Sequence, residues 1–340
     1  MEKLVQLYQF IKKSKMKEKF LKFKSTFNSS TIFFCVLSIV FFGLFINANT
    51  STKYTYLPFL KIGKEVDKTY GSAMESLGPQ VYPVKLPTKL DFGGEDVPLK
   101  DIEVRERLDR ELLVNTFWQS NTVLALKRAN RWFPLIEERL KANGVPDDFK
   151  YLAVIESNLT DVVSPAGAAG FWQFLKATGT SYGLVINDEI DERYNVEKAT
   201  DAACRYLISA KNSLGSWSAA AASYNMGVAG FQKQQGRQSQ ESYYDMSLNP
   251  ETNRYVFRIL ALKLIHQNPK DFGYNFTEDD YYAPFKYKEE TLEGSVSSFG
   301  AYAQARGITY KELKMLNSWL RDNKLSNIEK RTYTVKILER

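Results

Sequence analysis

A single carboxylate, Glu156, stands where a predicted helix should present an apolar residue. The helix is predicted to begin at Pro146, because Pro is tolerated in a first turn and the following acids suit the helix dipole. Counted from Phe149, one helical face carries Leu152, Ala153 and Glu156. Desolvation disfavours a charged carboxyl, so we expect the pKa of Glu156 to be raised toward that of a general acid. The alternative is that Glu156 turns to a solvated edge or pairs with a Lys or Arg.

The segments after Glu156 have the composition of a sugar-binding surface. Residues 164–170, Ser-Pro-Ala-Gly-Ala-Ala-Gly, are small enough for backbone to approach a ligand, and they open into Phe-Trp-Gln-Phe at 171–174. Aromatic rings pack on the apolar face of a sugar, and amides bind its hydroxyls. Two further polar segments follow at 221–227 and 251–256.

Taken together, in this order and spacing, these segments resemble the lytic transglycosylases that cleave peptidoglycan, and most of all the membrane-bound lytic murein transglycosylase D group. The resemblance runs from about Asn130 to Gly273. The motifs that carry it are Arg131-Trp-Phe-Pro, Gly144-Val-Pro, Glu156-Ser157, Gly167-Ala-Ala-Gly-Phe-Trp-Gln-Phe174, Asp191-Glu-Arg193 and Tyr224-Asn225.

The resemblance implies a lysozyme-like helical domain in which Glu156 is both catalytic acid and catalytic base. Glu156 would protonate the oxygen between N-acetylmuramic acid and N-acetylglucosamine, assisted by the acetamido group of the muramic acid. It would then take a proton from the C6 hydroxyl, which attacks C1 and leaves a 1,6-anhydromuramoyl end. Ordinary glycosidases need two carboxylates, and substrate-assisted enzymes are exceptions to that rule.

The same resemblance implies substrate-binding roles for five more residues. Ser157 would contact the reacting centre, and Gln173 would contact substrate. Tyr224 and Asn225 would hold the N-acetyl group and sugar hydroxyls. Tyr255 would donate a hydrogen bond to the catalytic glutamate.

Three neighbouring residues also have purely structural interpretations. Tyr255 could be an ordinary core tyrosine, and Trp172 a core tryptophan rather than a sugar contact. Asp161 lies among Thr and Val residues at a predicted helix end, so we interpret it as a cap or loop residue rather than a second catalytic acid.

The inventory of histidine and cysteine argues against several hydrolase classes. The chain has one histidine, His266, and two cysteines, Cys35 and Cys204. A zinc enzyme or a Ser-His-Asp hydrolase is hard to build from so few groups, and no phosphate-binding glycine loop is present. We therefore predict no metal, no cofactor and no disulfide.

The N-terminus predicts a membrane location. Residues 31–46 are apolar and uncharged, slightly short of the roughly 17–25 residues of a spanning helix, and flanking residues can extend the run. We predict an uncleaved anchor over 31–47, with a signal peptide cut after Ala48 as the rival and a lipid anchor at Cys35 disfavoured. Residues 1–30 carry eight Lys against two Glu, so this basic tail should stay cytoplasmic. The prediction is a single-pass inner-membrane protein with its catalytic domain in the periplasm.

The charge balance argues against a nucleic-acid partner. The chain has a formal net charge of +7, and six of those charges belong to residues 1–30. The expected partners are peptidoglycan glycan strands, and the membrane through Thr31–Ile46.

The remaining patterns predict a mainly α fold with a small α+β tail. We predict a spacer arm over 48–104, because Pro and Gly interrupt it, and a helical transglycosylase domain over 105–275. Residues 283–340 resemble a glycan-binding LysM module, with a helix, a Gly-Ile-Thr turn and a second helix over 295–317, and strands at 283–287 and 333–338; a purely packing role is the alternative. The predicted helices of the larger domain, besides the one bearing Glu156, are 110–130, 132–143, 199–211, 217–224 and 252–266.

The predicted function is that of a peptidoglycan lytic transglycosylase. One alternative is a muramidase that uses the same Glu156 but delivers water. A second is a non-catalytic wall-binding scaffold, which the intact set of polar residues argues against.

Overall fold

A computed structural model describes residues 82–339 of the chain, and most of their elements are helices. The predicted basic tail, the predicted anchor and most of the predicted spacer lie outside these residues. No helix within 82–339 is long and apolar enough to cross a bilayer. The strands are β1 (Asp91–Phe92), β2 (Glu95–Asp96), β3 (Tyr287–Leu292) and β4 (Tyr333–Leu338). The helices are α1 (Ile102–Phe117), α2 (Gln119–Ala142), α3 (Lys150–Ser157), α4 (Lys176–Ser181), α5 (Val196–Leu214), α6 (Trp217–Met226), α7 (Val228–Gln238), α8 (Pro250–Gln267), α9 (Phe299–Gln304) and α10 (Tyr310–Leu316).

Helix α8 is the centre of the helical domain, which comprises residues 91–267. It begins at Asn249, whose side chain accepts hydrogen bonds from two backbone N–H groups, and Pro250 follows in the first turn. Its apolar residues are buried over most of its circumference, as expected for a helix enclosed by others. It packs against α1, α3 and α6. Four consecutive fully buried alanines in α6, 219–222, allow the close approach of its neighbours.

The first two helices differ from those predicted. The break between them falls at Trp118, whose φ of −85° and ψ of 58° are not helical. Thr122 then donates to the carbonyl of Asn115, which holds the two helices across this break. Helix α2 continues through Pro134 to Ala142, so the predicted boundary near residue 131 is wrong.

A short hairpin replaces the second half of the predicted spacer arm. Gly93 and Gly94, at φ +60° and +82°, form the turn between β1 and β2. The ring of Phe92 is fully buried against Phe149, with centroids 5.1 Å apart, and the Gly93 N–H donates to Asp148. The breakers at 93–94 and 98 are therefore turn residues of a packed segment, and residues 91–104 belong to the helical domain.

The C-terminal module, residues 287–338, has its own small core. Strands β3 and β4 pair antiparallel, from Tyr287 opposite Leu338 to Leu292 opposite Tyr333. The predicted helix–turn–helix and the strand at 333–338 are confirmed, whereas the first strand lies at 287–292 rather than 283–287. Phe299 and Leu313 are fully buried between the helices and the two-stranded sheet.

Backbone hydrogen bonds join the C-terminal module to the helical domain. The N–H of Asp191 donates to the Trp319 carbonyl at 2.9 Å, and the N–H of Arg321 donates to the Glu189 carbonyl at 2.8 Å. The core of the module also takes in three residues of the helical domain: Ala169, Ile190 and Tyr194.

Candidate active site

Helix α3 carries Glu156 into the protein near its C-terminal end. Leu152 and Ala153 are fully buried on the face that Glu156 shares, as the periodicity predicts. The helix ends at Asn158, which caps it with a left-handed φ of 52°. Burial raises the pKa of the Glu156 carboxyl above its ordinary value.

Tyr255 and Arg258 of α8 hold Glu156 from one side. The hydroxyl of fully buried Tyr255 donates to Glu156 Oε1. Arg258, one turn further along α8, donates from Nη2 to the carbonyl of Ile155 at 3.0 Å. The Tyr255 hydrogen bond and the Arg258 charge both favour the carboxylate, so they oppose the rise in the pKa that burial causes. Side chain and backbone of this helix end are thus fixed by neighbouring positions on α8.

Glu156 opens into a pocket of about 370 Å³, here called the catalytic pocket. Its wall includes four polar or aromatic side chains from three different parts of the fold. These are Gln173, Tyr206, Tyr224 and Asn225. Residues 164–168 contribute small side chains along the same wall, as their composition predicts.

The loop over residues 164–174 is held in an unusual backbone conformation. Gly170 has a φ of +76°, and a Cβ at this position would lie 1.9 Å from the carbonyl oxygen of Arg193, so only glycine fits. Gln173 also has a positive φ, 47°, and its Nε2 donates to the carbonyls of Val162 and Gly170. The amide of Gln173 is therefore fixed at the pocket wall.

Arg193 ties this loop to the rest of the domain. Its guanidinium donates to the carbonyls of Gly167 at 2.8 Å and Phe174 at 3.0 Å. Asp191 accepts from the same guanidinium at 2.7 Å, and both side chains are nearly buried. The Asp191-Glu-Arg193 motif thus shapes the wall of the catalytic pocket without lining it.

Tyr224 and Asn225 reach the catalytic pocket from the end of α6. The Tyr224 hydroxyl donates to the Trp172 carbonyl at 2.8 Å, and burial raises its pKa well above the ordinary value. Asn225 Oδ1 accepts from the Thr252 hydroxyl at 2.6 Å, which orients the amide. Both residues lie beside Glu156, as the resemblance implies.

Ser157 lies elsewhere than expected. It is buried, and its hydroxyl donates to the carbonyls of Ala153 at 3.1 Å and Phe171 at 2.9 Å. It does not line the catalytic pocket, because its position on α3 points it toward the 171 backbone rather than the opening. Trp172 is a core tryptophan, the structural alternative given above for this residue. It is fully buried and donates from Nε1 to the Thr200 hydroxyl.

Four residues of the catalytic pocket were given no role from the sequence: Leu175, Thr178, Tyr206 and Glu251. Glu251, in the first turn of α8, supplies a second carboxylate to the catalytic pocket, and its charge adds to the rise in the pKa of Glu156. It precedes Tyr255 by four positions, so the helical spacing of the two was a usable signal. Tyr206, on α5, packs edge-on against Tyr224 at 4.9 Å, and its distance along the chain gave no comparable signal.

The histidine and the cysteine within the described residues are buried away from the catalytic pocket. His266 Nδ1 lies 3.1 Å from the Tyr151 hydroxyl, and burial lowers its pKa to about 4. Cys204 is a buried free thiol, and burial raises its pKa to about 12. Across residues 82–339, no group of three His, Cys, Asp or Glu side chains is placed to hold a metal ion.

Comparison with known families agrees with this geometry. Residues 134–247 match the transglycosylase SLT domain, and residues 288–339 match the soluble lytic transglycosylase C-terminal LysM-like domain. The chain therefore contains a transglycosylase SLT domain followed by a LysM-like C-terminal domain.

Among individual proteins, the chain is distantly similar to membrane-bound lytic murein transglycosylase D of Escherichia coli strain K12. The two are 27% identical over 235 residues, which cover 67% of this chain and 50% of the relative. The protein of the same name from Escherichia coli O6:H1 strain CFT073 matches to the same extent. The chain thus spans about half the length of the curated relatives it matches.

Proposed function

We propose that this protein is a peptidoglycan lytic transglycosylase that uses Glu156 as its catalytic acid and base. The observation that carries the proposal is the hydrogen bond from buried Tyr255 to Glu156, a carboxyl that lines a pocket together with Gln173, Tyr224 and Asn225. A carboxyl whose pKa is raised by burial stays protonated to a higher pH, and its acid form can donate a proton to a leaving group.

The proposed reaction has two proton transfers at one carboxyl. Glu156 protonates the glycosidic oxygen between N-acetylmuramic acid and N-acetylglucosamine, and the acetamido oxygen of the muramic acid bonds to C1 as N-acetylglucosamine leaves with the protonated oxygen. The resulting carboxylate then accepts the proton of the C6 hydroxyl, which attacks C1 and releases the acetamido group. The product is a 1,6-anhydromuramoyl end, and no water is consumed.

The pocket residues suit the groups that this reaction must hold. The amide oxygen of Gln173 accepts no hydrogen bond from residues 82–339, so it is available to a substrate N–H or hydroxyl. Asn225, oriented by Thr252, can donate to the N-acetyl carbonyl. Tyr224 and Tyr206 present aromatic surface beside Glu156. Ser157 acts indirectly in this proposal, by fixing the Phe171 backbone.

A hydrolytic muramidase is the second candidate, and Glu251 is the observation that favours it. An inverting glycosidase uses a second carboxylate to activate water. Glu251 lines the same pocket as Glu156 and is exposed in the first turn of α8. Both candidates require Glu156, and they differ in the acceptor.

The proposed location follows from the sequence. Residues 31–47 would anchor the chain in the inner membrane, with 1–30 in the cytoplasm and the helical domain in the periplasm, where peptidoglycan lies. The LysM-like domain would contribute glycan binding. A fractionation of cells with protease protection of residues 105–340 tests the topology, and cleavage of these residues from the cytoplasmic side would contradict it.

The function is tested by mass spectrometry of the products released from purified peptidoglycan. We expect anhydromuramoyl ends from the wild-type protein and none from the Glu156→Gln variant, with unchanged circular dichroism as the folding control. Reducing muramic acid ends that depend on Glu156 would favour the muramidase. Products that persist in Glu156→Gln would overturn both candidates.

A further inference from the structure

A second cavity, of about 200 Å³, lies between the helical domain and the C-terminal module; we call it the inter-module cavity. Its walls come from both parts in similar measure. On the helical side they include Trp132, Asp161 and Phe171, and on the module side Met315, Ser318 and Thr334.

The walls of the inter-module cavity are fixed by specific contacts. Trp132 packs edge-on against Phe171, with ring centroids 5.1 Å apart. Across the cavity, Lys336 of β4 forms an ion pair with Glu197 of α5. Together with the backbone bonds between 189–191 and 319–321, these contacts make the cavity a built recess with defined walls.

Both lysines that line the cavity are paired with carboxylates. Glu197 is paired with Lys336, and Lys198 with Glu192. Glu289 stands directly across the sheet from Lys336. An anionic ligand would have to displace one of these pairs, so the recess suits a polar ligand without a negative charge.

Asp161 is the polar group best placed to meet such a ligand. Its side chain is accessible from the cavity, yet the surrounding protein raises the pKa of its carboxyl, while the nearby Ser318 hydroxyl and the charge of Arg321 act in the opposite direction. Half-buried Trp132 and half-exposed Met315 supply apolar surface, and the Thr334 hydroxyl supplies a further polar group. An apolar wall beside a carboxylate and a hydroxyl is the pattern that binds a pyranose ring.

We propose that the inter-module cavity binds one N-acetylated sugar ring of a glycan strand, with Asp161 accepting from its hydroxyl groups. The cavity is smaller than the roughly 300–1,000 Å³ of pockets for drug-sized ligands, so it holds a single ring rather than an oligosaccharide. This inference rests on the proposed function, which supplies the glycan. It differs from binding by the LysM-like domain alone, because half of the wall belongs to the helical domain.

The catalytic pocket and the inter-module cavity share one loop. Ala168, Gln173 and Phe174 line the catalytic pocket, whereas Phe171 lines the cavity. A ring held in the cavity could belong to the strand under cleavage or to a neighbouring strand. Both sources offer the same N-acetylated pyranose.

The test is calorimetric titration of the full chain carrying Glu156→Gln with chitotetraose, an uncharged chain of N-acetylglucosamine. We expect two binding events, one in each site. Asp161→Ala removes the acceptor and Thr334→Trp fills the cavity, and each should weaken one event at least about tenfold while leaving the other unchanged. The matched controls are Asp279→Ala, which removes an exposed carboxylate, and Gln304→Trp, which adds a tryptophan at an exposed position of α9. A single event in the parent, or two unaltered events in both variants, overturns the inference.

Two further experiments, on protein that retains Glu156, identify the strand to which the bound sugar belongs. If the ring belongs to the strand under cleavage, Asp161→Ala raises KM for long strands and leaves KM for tetrasaccharides unchanged. If it belongs to another strand, the same variant reduces co-sedimentation with insoluble cell wall and changes neither KM. Anhydro products with unaltered titrations would refute the cavity site alone. Altered titrations without Glu156-dependent products would refute the proposed function alone.

Discussion

Glu156 and Asp161 are five residues apart in sequence, and they face different sites. Glu156 belongs to helix α3 and receives a hydrogen bond from a fully buried tyrosine. Asp161 belongs to the loop after α3, and its neighbours Ser318 and Arg321 come from the C-terminal module. Burial raises the pKa of both carboxyls.

A raised pKa therefore does not by itself distinguish a catalytic acid from a binding group. What separates the two carboxyls is the element that carries each one and the residues that contact it. Glu156 lies on a helix and receives a hydrogen bond from α8, whereas Asp161 lies on a loop that meets the C-terminal module. Substitutions at these two carboxyls and at the residues that contact them should therefore have different effects.

Glu156→Gln should reduce the rate of glycan cleavage by about 10²–10⁴-fold, which is the usual contribution of a general acid or base. Product release from purified peptidoglycan gives the rate. Asp161→Asn should retain most of the activity on short glycans, because Asp161 lies outside the catalytic pocket. Equal losses from the two variants would erase the proposed distinction between the carboxyls.

The same Glu156→Gln variant should be more stable than wild type at neutral pH. The pKa of Glu156 is higher in the folded than in the unfolded state. The protonated carboxyl therefore adds to the free energy of unfolding below the unfolded-state pKa, and this gain is lost as pH rises through the folded-state pKa. Glutamine does not ionise, so the variant does not lose this stability at neutral pH. Urea unfolding at acidic and neutral pH measures the difference, and a variant that is less stable only at neutral pH would contradict the assigned direction.

Arg193→Ala should lower the free energy of unfolding by about 3 kcal/mol, because it leaves Asp191 buried without its partner. It should also reduce activity, since two carbonyls of the loop shared by both sites lose their donor. Arg205→Ala, which removes a more exposed bond to the Tyr182 carbonyl, is the control and should cost much less. Urea unfolding and cleavage rates are the measurements, and wild-type values for Arg193→Ala would show that the loop is held by other contacts.

Tyr255→Phe should reduce kcat/KM by about 10- to 150-fold, which corresponds to about 1.5–3 kcal/mol for a hydrogen bond to a charged group. It should also raise the pKa of Glu156, because the lost bond favoured the carboxylate. The first step needs protonated Glu156, so the alkaline limb of the pH–rate profile should move to higher pH. Tyr243→Phe, which removes a buried hydroxyl bonded to the Thr252 and Asn253 carbonyls, should leave that limb in place. Movement to lower pH in Tyr255→Phe would refute the role of this hydrogen bond.

Arg321→Ala should have the smallest effect, about 0.5–1 kcal/mol of stability, from loss of the stacking of its guanidinium on Tyr194 at 4.2 Å. Thermal unfolding measures the change. The catalytic rate on short glycans should not change, because the contact lies at the module interface. A large loss of that rate would show that the module supports catalysis directly.

Sequence alone located most of the catalytic pocket and the helices that line it, but it misplaced α1 and α2 and did not predict α7. The apolar period around Glu156 and the family motifs indicated Gln173, Tyr224, Asn225 and Tyr255, and all four lie in or beside the catalytic pocket. Their roles in catalysis stay predictions. Ser157 shows the limit of a sequence motif. Its neighbour Glu156 faces the pocket, but successive residues of a helix differ in direction by about 100°, so the Ser157 side chain points elsewhere.

The interface between domain and module was beyond the sequence. Asp161 has the local pattern of a loop residue, and only the packing of residues 318–321 against 189–194 makes it part of a cavity. The hairpin at 91–96 was missed for a similar reason, because the burial of Phe92 against Phe149 depends on a contact between distant segments. Periodicity describes an element and one of its faces, whereas docking depends on the shapes of two surfaces.

The most direct test of the central claim is digestion of peptidoglycan in heavy-oxygen water, followed by mass spectrometry of the new ends. Intramolecular transfer to the C6 hydroxyl predicts anhydromuramoyl ends without heavy oxygen, formed by wild type and absent from Glu156→Gln. Reducing ends that carry heavy oxygen at C1 would contradict it and identify water, activated on the same scaffold, as the acceptor.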